Sequence, residues 1–211
     1  STLENLGAKR IPTAEDCSLC RGILEQGRLQ QKAKPVVEAL RGYGFNTFLV
    51  GVTLPYEVVE REDEIRSRIR SKFGESIRGE LSRRIGKMVA EALRKNVEYR
   101  APEILAILDP FTDRLDVHVN PLCLAGRYVK AQTGLPQTTR LCPSCRGSGC
   151  EQCKGSGKRL EDSVESLLAT PVLEASGGEA GVLHAAVREG LDTLVSGRGR
   201  PFILEVKRPK N

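Results

Sequence analysis

The chain has 211 residues and a formal net charge of +6 at pH 7, with 39% hydrophobic and 28% charged residues. This length allows one large domain or two modest ones with a buried core, and no apolar run approaches the roughly 20 residues of a membrane-spanning helix. The basic excess favours a nucleic-acid partner through phosphate contacts, whereas an aromatic content of 4% without Trp argues against binding mainly by base stacking.

The first half of the chain predicts three helices and one strand. Residues 1–16 form a loose start, residues 22–40 a helix that Pro35 could interrupt, and residues 45–54, FNTFLVGVTL, a strand. Residues 57–73 and 75–95 predict two charged helices. The last helix has an apolar residue at every fourth position, which is typical of a helix packed on a core: Ile77, Leu81, Ile85, Val89 and Leu93.

The second half predicts mainly strands. Residues 103–108 and 114–119 flank the turn DPFTD and predict a β-hairpin, and residues 122–131 predict a third strand. Ser163 and Ser166 mark the expected start of a later helix, and residues 202–206 a final strand. This order of elements indicates an α/β (α+β) arrangement with one mixed or antiparallel sheet.

Six of the seven cysteines form three Cys-x-x-Cys pairs. The first pair is Cys17 with Cys20, and the other two lie together in CPSCRGSGCEQC: Cys142, Cys145, Cys150 and Cys153. Two such turns make a tetrahedral thiolate site of the structural zinc type. The spacing leaves two groupings open. One zinc could take the four later cysteines, or the early pair could combine with one of the later pairs.

Other roles for these cysteines fit less well. The spacing does not match the usual iron–sulfur patterns, and His118 and His184 lie far from the pairs in sequence, which argues against a catalytic zinc. No apolar signal sequence precedes the pairs, so we expect a reducing cytoplasm with metal instead of disulfides. The seventh cysteine, Cys123 in PLCLAG, is expected to be a small buried thiol.

Four phrases together resemble a known enzyme family. They are CSLCRGIL at residues 17–24, LAGRYVKAQTGLPQT at residues 124–138, DSVESLL at residues 162–168 and REGLDTLVSGRGRPFILEV at residues 188–206. In this order they resemble the archaeal and eukaryotic tRNA pseudouridine synthases that modify the TΨC loop, whose archaeal members also carry a Cys-rich insertion after LPQT. The resemblance covers essentially the whole chain and implies a THUMP-type mixed sheet with helices, plus a zinc module.

The resemblance also implies a division of the chain into four parts. Residues 1–30 are expected to hold the first Cys pair and a helix, and residues 31–135 a THUMP-like RNA-binding domain. Residues 136–160 form the Cys-rich zinc module, and residues 161–211 the start of a truncated pseudouridine-synthase-like domain. The family's catalytic domain continues well beyond its GRPF phrase, so much of the uridine pocket is expected to be missing here.

The catalytic phrase departs from the family pattern at the nucleophile. The family uses an Asp as the third residue of an Arg-Glu-Asp phrase, and Gly190 stands at that place after Arg188 and Glu189. Glycine has no carboxylate, so the covalent step cannot occur there. Asp192 is a weak catalytic candidate, because a shift of two residues along a strand moves a carboxylate by roughly 6–7 Å.

The resemblance implies that the THUMP part holds the acceptor region of tRNA, and several basic residues of the chain are candidate phosphate contacts. The candidates are Arg127, Lys130, Arg140, Arg198, Arg200, Lys207 and Arg208. Tyr128 could stack on a base, although packing is the more usual role of a tyrosine in a strand.

These observations support three functional hypotheses. The favoured one is a cytoplasmic, zinc-stabilised tRNA-binding protein that is catalytically incomplete as this chain and could work with a separate catalytic chain. The second is an active tRNA pseudouridine synthase, an isomerase, in which Asp192 or a partner chain supplies the nucleophile. The third is a zinc-knuckle protein-interaction module without an RNA role. Neither DNA nor a membrane is an expected partner.

Overall fold

The computed structural model describes residues 17–69 and 74–211. The loose start predicted for residues 1–16 and the predicted helix end at residues 70–73 lie outside this described part. The chain divides into two compact units, Ser1–Val119 and Asn120–Asn211. The strand predicted at residues 122–131 therefore belongs to the second unit, whereas the expected boundary at residue 135 placed it in the first.

The first unit is a mixed sheet with helices, as predicted. Its elements in chain order are α1 (Gln26–Leu40), β1 (Thr47–Val52), α2 (Tyr56–Ile69), α3 (Ile77–Leu93), β2 (Asn96–Val97), β3 (Ile104–Asp109) and β4 (Arg114–Val119). The strands lie in the order β2-β1-β3-β4. β1 is parallel to β2 and β3, and β3 forms the predicted antiparallel hairpin with β4.

The core of the first unit lies between one face of this sheet and helices α1 and α3. Alternate residues of β1 and β3 are buried, as the strand period of two requires. The apolar residues predicted along one side of α3 face this sheet, and three of them, Leu81, Ile85 and Val89, are fully buried. Ser76 caps α3 by accepting a hydrogen bond from the backbone N–H of Gly79 at 3.1 Å.

Helix α1 differs from the prediction at its start and at Pro35. It begins at Gln26 and continues through Pro35 to Leu40 without a break. A proline inside a helix removes one backbone hydrogen bond, but burial of a whole apolar face offsets that loss. The residues of that face are Leu29, Ala33, Val36, Val37 and Leu40. Residues 18–25 form turns and a bend, so the first four residues of the predicted helix, 22–25, are not helical; φ is positive at Arg21 and Gly22.

The second unit has its own antiparallel sheet, which corrects the prediction of a single sheet. Its elements are β5 (Leu122–Lys130), a 3-10 turn at Glu151–Cys153, α4 (Val164–Ser176), β6 (Ala180–Ala185) and β7 (Val195–Lys207). The strands lie in the order β5-β7-β6. β5 pairs with β7, from Leu122 opposite Val206 to Tyr128 opposite Arg200. This pairing joins segments far apart in sequence, which local patterning cannot reveal.

Helix α4 covers one face of the second sheet. Ser163 and Ser166 form the expected start of α4 as a reciprocal capping box. Ala169 packs with Leu204 and Val206, and a Cβ added to Gly181 would lie 2.7 Å from the Cβ of Ala169. No helix in the described part is long and apolar enough to cross a membrane.

Cys123 is exposed, so the expectation of a buried thiol is wrong. It lies opposite Glu205 in the β5–β7 register, one residue before Leu124, which pairs with the buried Leu204. Successive residues of a strand point to opposite faces, so Cys123 lies on the face that α4 does not cover.

Candidate functional site

The four later cysteines form a compact group of sulfur atoms. All four Sγ atoms lie within 4.8 Å of one another. Three of the separations are 3.9 Å for Cys142–Cys150, 3.7 Å for Cys145–Cys153 and 3.7 Å for Cys150–Cys153. Four sulfurs arranged tetrahedrally around zinc, each about 2.3 Å from the ion, lie about 3.8 Å apart. The donor set and its spacing therefore fit a structural tetrathiolate metal site.

The backbone of this module is folded by paired left-handed turns. After each cysteine pair a basic residue and a glycine both have positive φ: 51° and 104° at Arg146 and Gly147, and 51° and 81° at Lys154 and Gly155. The N–H of Cys142 donates to the carbonyl of Gly157 at 2.8 Å and ties the two ends of the module together. These turns bring the two pairs face to face.

The same turns direct backbone N–H groups at the sulfurs. The N–H groups of Cys150 and Gly157 each lie 3.2 Å from the Sγ of Cys153. Desolvation raises the pKa of Cys153, but these hydrogen bonds and the neighbouring thiols outweigh it and lower the pKa to about 6. At Cys150 the backbone hydrogen bond lowers the pKa, but desolvation and the three neighbouring thiols raise it to about 11. The module thus favours the negatively charged thiolate form at Cys153.

The early pair lies in the first unit and outside this group. Cys20 is buried in the core of that unit, and Cys17 is partly buried against it. The N–H of Cys20 contacts the Sγ of Cys17 at 3.5 Å. Of the two groupings left open by the sequence, the geometry brings together the four later cysteines.

A second candidate site surrounds position 190. Gly190 lies in the loop between β6 and β7, not in the strand assumed for the two-residue shift, and Asp192 is exposed in a turn of that loop. The loop is held by Lys130, whose Nζ donates to the carbonyls of Gly190 and Leu191 at 3.3 and 3.2 Å. The N–H of Gly190 donates to the Oγ1 of Thr193 at 3.2 Å.

A buried polar network stands beside this loop. The Glu189 side chain is only 1% exposed, and its Oε2 lies 3.1 Å from the Nη1 of Arg200. That contact is an ion pair without hydrogen-bond alignment, since Oε2 has no hydrogen-bond donor. The Tyr128 hydroxyl donates to the Oε1 of Glu189 at 2.7 Å and accepts from the Nε2 of Gln137 at 3.1 Å. Desolvation raises the pKa of Tyr128, and Glu189 adds to the rise.

Two of the predicted RNA-binding residues are buried close to position 190. Tyr128 and Lys130 are 6% and 3% exposed. Tyr128 therefore packs in the sheet, as expected for a strand tyrosine. The Nζ of Lys130 is directed into the unit, where it donates to two backbone carbonyls. Lys130 points inward because it lies two residues after the buried Tyr128 in β5, and alternate residues of a strand face the same side.

The other predicted RNA-binding residues lie nearer the surface. Arg127 is exposed, and its guanidinium donates to the carbonyls of Arg198 and Gly199 at 2.7 and 2.9 Å. Arg140 and Lys207 are exposed. The Arg200 side chain is 21% exposed and faces Glu189.

A polar cavity of about 560 Å³ lies next to the network. Gln137, Arg140, Arg188 and Glu189 are among the residues that line it. Two arginines in one concave surface can hold an anionic ligand such as a phosphate. Sequence reasoning missed the roles of Gln137 and Glu189, although both lie inside the phrases LPQT and REG, which could have indicated them.

Both units match models of one protein family. Residues 32–109 match a model described as "Pus10 THUMP domain, archaeal", and residues 123–211 match one described as "Pus10, C-terminal". The matches fall within the first and second units respectively.

Several archaeal proteins named tRNA pseudouridine synthase Pus10 are similar to this chain. Identity is 41% with the Methanocaldococcus jannaschii protein and 38% with the Methanococcus voltae protein, each over 196 residues and 93% of this chain. The Korarchaeum cryptofilum protein is 34% identical over 212 residues. The chain covers 42%, 38% and 56% of these relatives, so it spans less than two thirds of their length.

Proposed function

We propose, on the premise that this chain belongs to the Pus10 family with its THUMP domain, that it binds tRNA and does not itself isomerise uridine. The observation that carries the proposal is that a glycine stands at position 190, where the family has its nucleophilic aspartate. The loop around it is fully held by Lys130, Thr193 and the Glu189 network, yet Gly190 offers no carboxylate. A scaffold without its nucleophile supports binding without covalent chemistry.

Asp192 does not replace the missing group in this proposal. It is exposed in the turn that follows Gly190. Catalysis by a nucleophile needs the reacting atoms held about 3–3.5 Å apart in a near-attack geometry. An exposed turn carboxylate, two residues away from a loop position that is held on both sides, is poorly suited to that task.

The tRNA contact in the second unit is proposed at the polar cavity beside Glu189. Arg140 and Arg188 line it, and the exposed Arg127 and Lys207 extend the basic surface of that unit. With the net charge of +6, binding is expected to be driven largely by phosphate contacts and to release counterions. The THUMP domain of the first unit is proposed to hold the acceptor region.

Zinc is the proposed structural ion of the four later cysteines. The set is all sulfur, with separations close to those of a tetrahedral thiolate site. An all-thiolate set leaves no open position for a reacting ligand, so the ion would brace the module and take no part in chemistry. We place the protein in the cytoplasm, where reduced thiols persist.

The test is a tRNA-binding titration of the whole chain at several salt concentrations. Binding is expected to weaken steeply with salt, and the double variant Arg140→Ala/Arg188→Ala should lower the salt slope by about 2 and the affinity by about tenfold or more. The charge-matched control Lys154→Ala/Lys210→Ala removes two exposed charges from the same unit that do not line the cavity, and it should weaken binding less. Failure to bind tRNA at low salt would favour the interaction-module hypothesis.

A further inference from the structure

The first part of β7 contains a large bulge opposite β5. Tyr128 pairs with Arg200, and Lys130 pairs with Val195. A single residue of β5 therefore faces residues 196–199 of β7, which is three residues more than an unbroken ladder would hold. Because the ladder cannot take up these extra residues, they leave the line of the strand. Bulges of this kind often direct a side chain towards a functional site.

Arg198 lies in the middle of this 196–199 bulge, between two glycines with left-handed backbone. The φ angles are 62° at Gly197 and 70° at Gly199. A Cβ added to Gly199 would lie 2.7 Å from the carbonyl oxygen of Tyr128, so a larger residue would clash with β5. The Arg198 side chain is exposed. The backbone of the bulge thus presents Arg198 to solvent.

Arg127 holds the bulge from the neighbouring strand. Its Nε donates to the carbonyl of Arg198 at 2.7 Å, and its Nη2 donates to the carbonyl of Gly199 at 2.9 Å. The donors of a guanidinium lie in one rigid plane, so the two bonds fix two successive carbonyl groups relative to each other. The bulge is therefore ordered before any ligand binds, which lowers the entropic cost of binding.

The guanidinium of Arg198 differs from its neighbours in having no acidic partner. Arg200 pairs with Glu189 at 3.1 Å, and Arg208 pairs with Glu179 at 3.3 Å. Within residues 17–69 and 74–211, no carboxylate pairs with Arg198. A planar guanidinium that is held forward without a protein anion is suited to bind an external phosphate through two hydrogen bonds.

The bulge lies on the same surface as the polar cavity. Arg127, His184 and Ala185 are among the residues that line a shallow depression of about 580 Å³. His184 and Ala185 also line the polar cavity that contains Arg140 and Arg188. The two concave areas therefore meet at the end of β6, so one RNA backbone can contact both.

We propose that Arg198 binds a phosphate of the tRNA backbone and that Arg127 is its positioning residue. The inference rests on the proposed tRNA binding and adds a contact outside the polar cavity. The sequence suggested the same role, a phosphate contact, for both arginines. Their hydrogen bonds separate the roles, because the Arg127 guanidinium holds the bulge and the Arg198 guanidinium stays free for the ligand.

The test of the phosphate contact is a tRNA-binding titration of the whole chain at several salt concentrations. Arg198→Ala should lower the affinity about fivefold or more and the salt slope by about 1. Arg198→Lys keeps a positive charge on the bulge and should recover most of the slope. The matched control Lys210→Ala removes one exposed charge from the same unit and should lower the affinity less than about twofold.

A double-variant cycle tests the positioning role of Arg127. Arg127→Lys keeps the charge but loses the rigid fork that joins the two carbonyls. It should reproduce most of the affinity loss of Arg198→Ala and have little further effect in the Arg198→Ala chain. Additive losses would overturn the positioning role. Equal urea midpoints of all variants and the wild type serve as the folding control.

The outcomes also separate this inference from the proposed function. Unchanged affinity and salt slope in Arg198→Ala, with binding still weakened in Arg140→Ala/Arg188→Ala, would overturn the contact at Arg198 and leave the proposed function in place. A wild-type chain that binds no tRNA even at low salt would overturn both.

Discussion

Replacing the carboxylate of Glu189 should destabilise the second unit, because this side chain is almost fully buried. Glu189→Gln keeps the shape of the side chain and an oxygen for the Tyr128 hydroxyl, but it removes the negative charge 3.1 Å from Arg200. Breaking a buried ion pair costs about 3–5 kcal/mol. The Arg200 side chain retains 21% exposure, so water recovers part of this, and we expect a loss of about 2–3 kcal/mol.

The chain contains a matched control for this substitution. Glu179 pairs with Arg208 at 3.3 Å, and both side chains are more than half exposed. Glu179→Gln removes the same charge from the same unit and should cost less than about 1 kcal/mol. Urea unfolding followed by circular dichroism, fitted with one transition for each unit, gives both values. Equal losses in the two variants would refute the assignment of Glu189 as a buried structural charge.

Three further predictions follow from local geometry. Gly190→Asp should change the free energy of unfolding by less than about 0.5 kcal/mol, because the nearest atom to an added Cβ is the Oγ1 of Thr193 at 3.7 Å; a larger loss in urea unfolding would contradict this. Gly181→Val should destabilise the second unit by about 1–3 kcal/mol, because even an added Cβ would lie 2.7 Å from the Cβ of Ala169. The control is Gly51→Ala, whose added Cβ would lie 3.7 Å from its nearest neighbour and should cost less. In metal-free protein, the alkylation rate of Cys153 should rise as pH increases through its pKa of about 6, and the rate of Cys150 only towards its pKa of about 11. Mass spectrometry of labelled peptides measures both rates. Equal rates at neutral pH would contradict the effect of the hydrogen bonds to Cys153.

Local patterning predicted the elements whose burial repeats along the chain. The stripe of α3 and the β3–β4 hairpin are confirmed because residue spacing alone decides which side faces the core. The start of α1 was predicted four residues too early, because the turn after Cys20 needs left-handed backbone at Arg21 and Gly22.

The features that depend on long-range pairing could not be predicted. The placement of β5 in a second sheet depends on its pairing with β7, more than 60 residues away along the chain. The exposure of Cys123 depends on which face of β5 helix α4 covers, and Lys130 is buried because it lies on the same face as Tyr128. The grouping of the four later cysteines is likewise a result of how two turns face each other, which spacing leaves open.

The most direct test of the proposed function is a pseudouridine assay on unmodified tRNA, at a concentration of this chain that saturates binding. The proposal predicts that tRNA is bound and that its uridines remain unchanged, because position 190 supplies no nucleophile. Turnover by the wild-type chain that is lost in Asp192→Ala, with tRNA binding unaltered, would contradict it and make Asp192 the catalytic group.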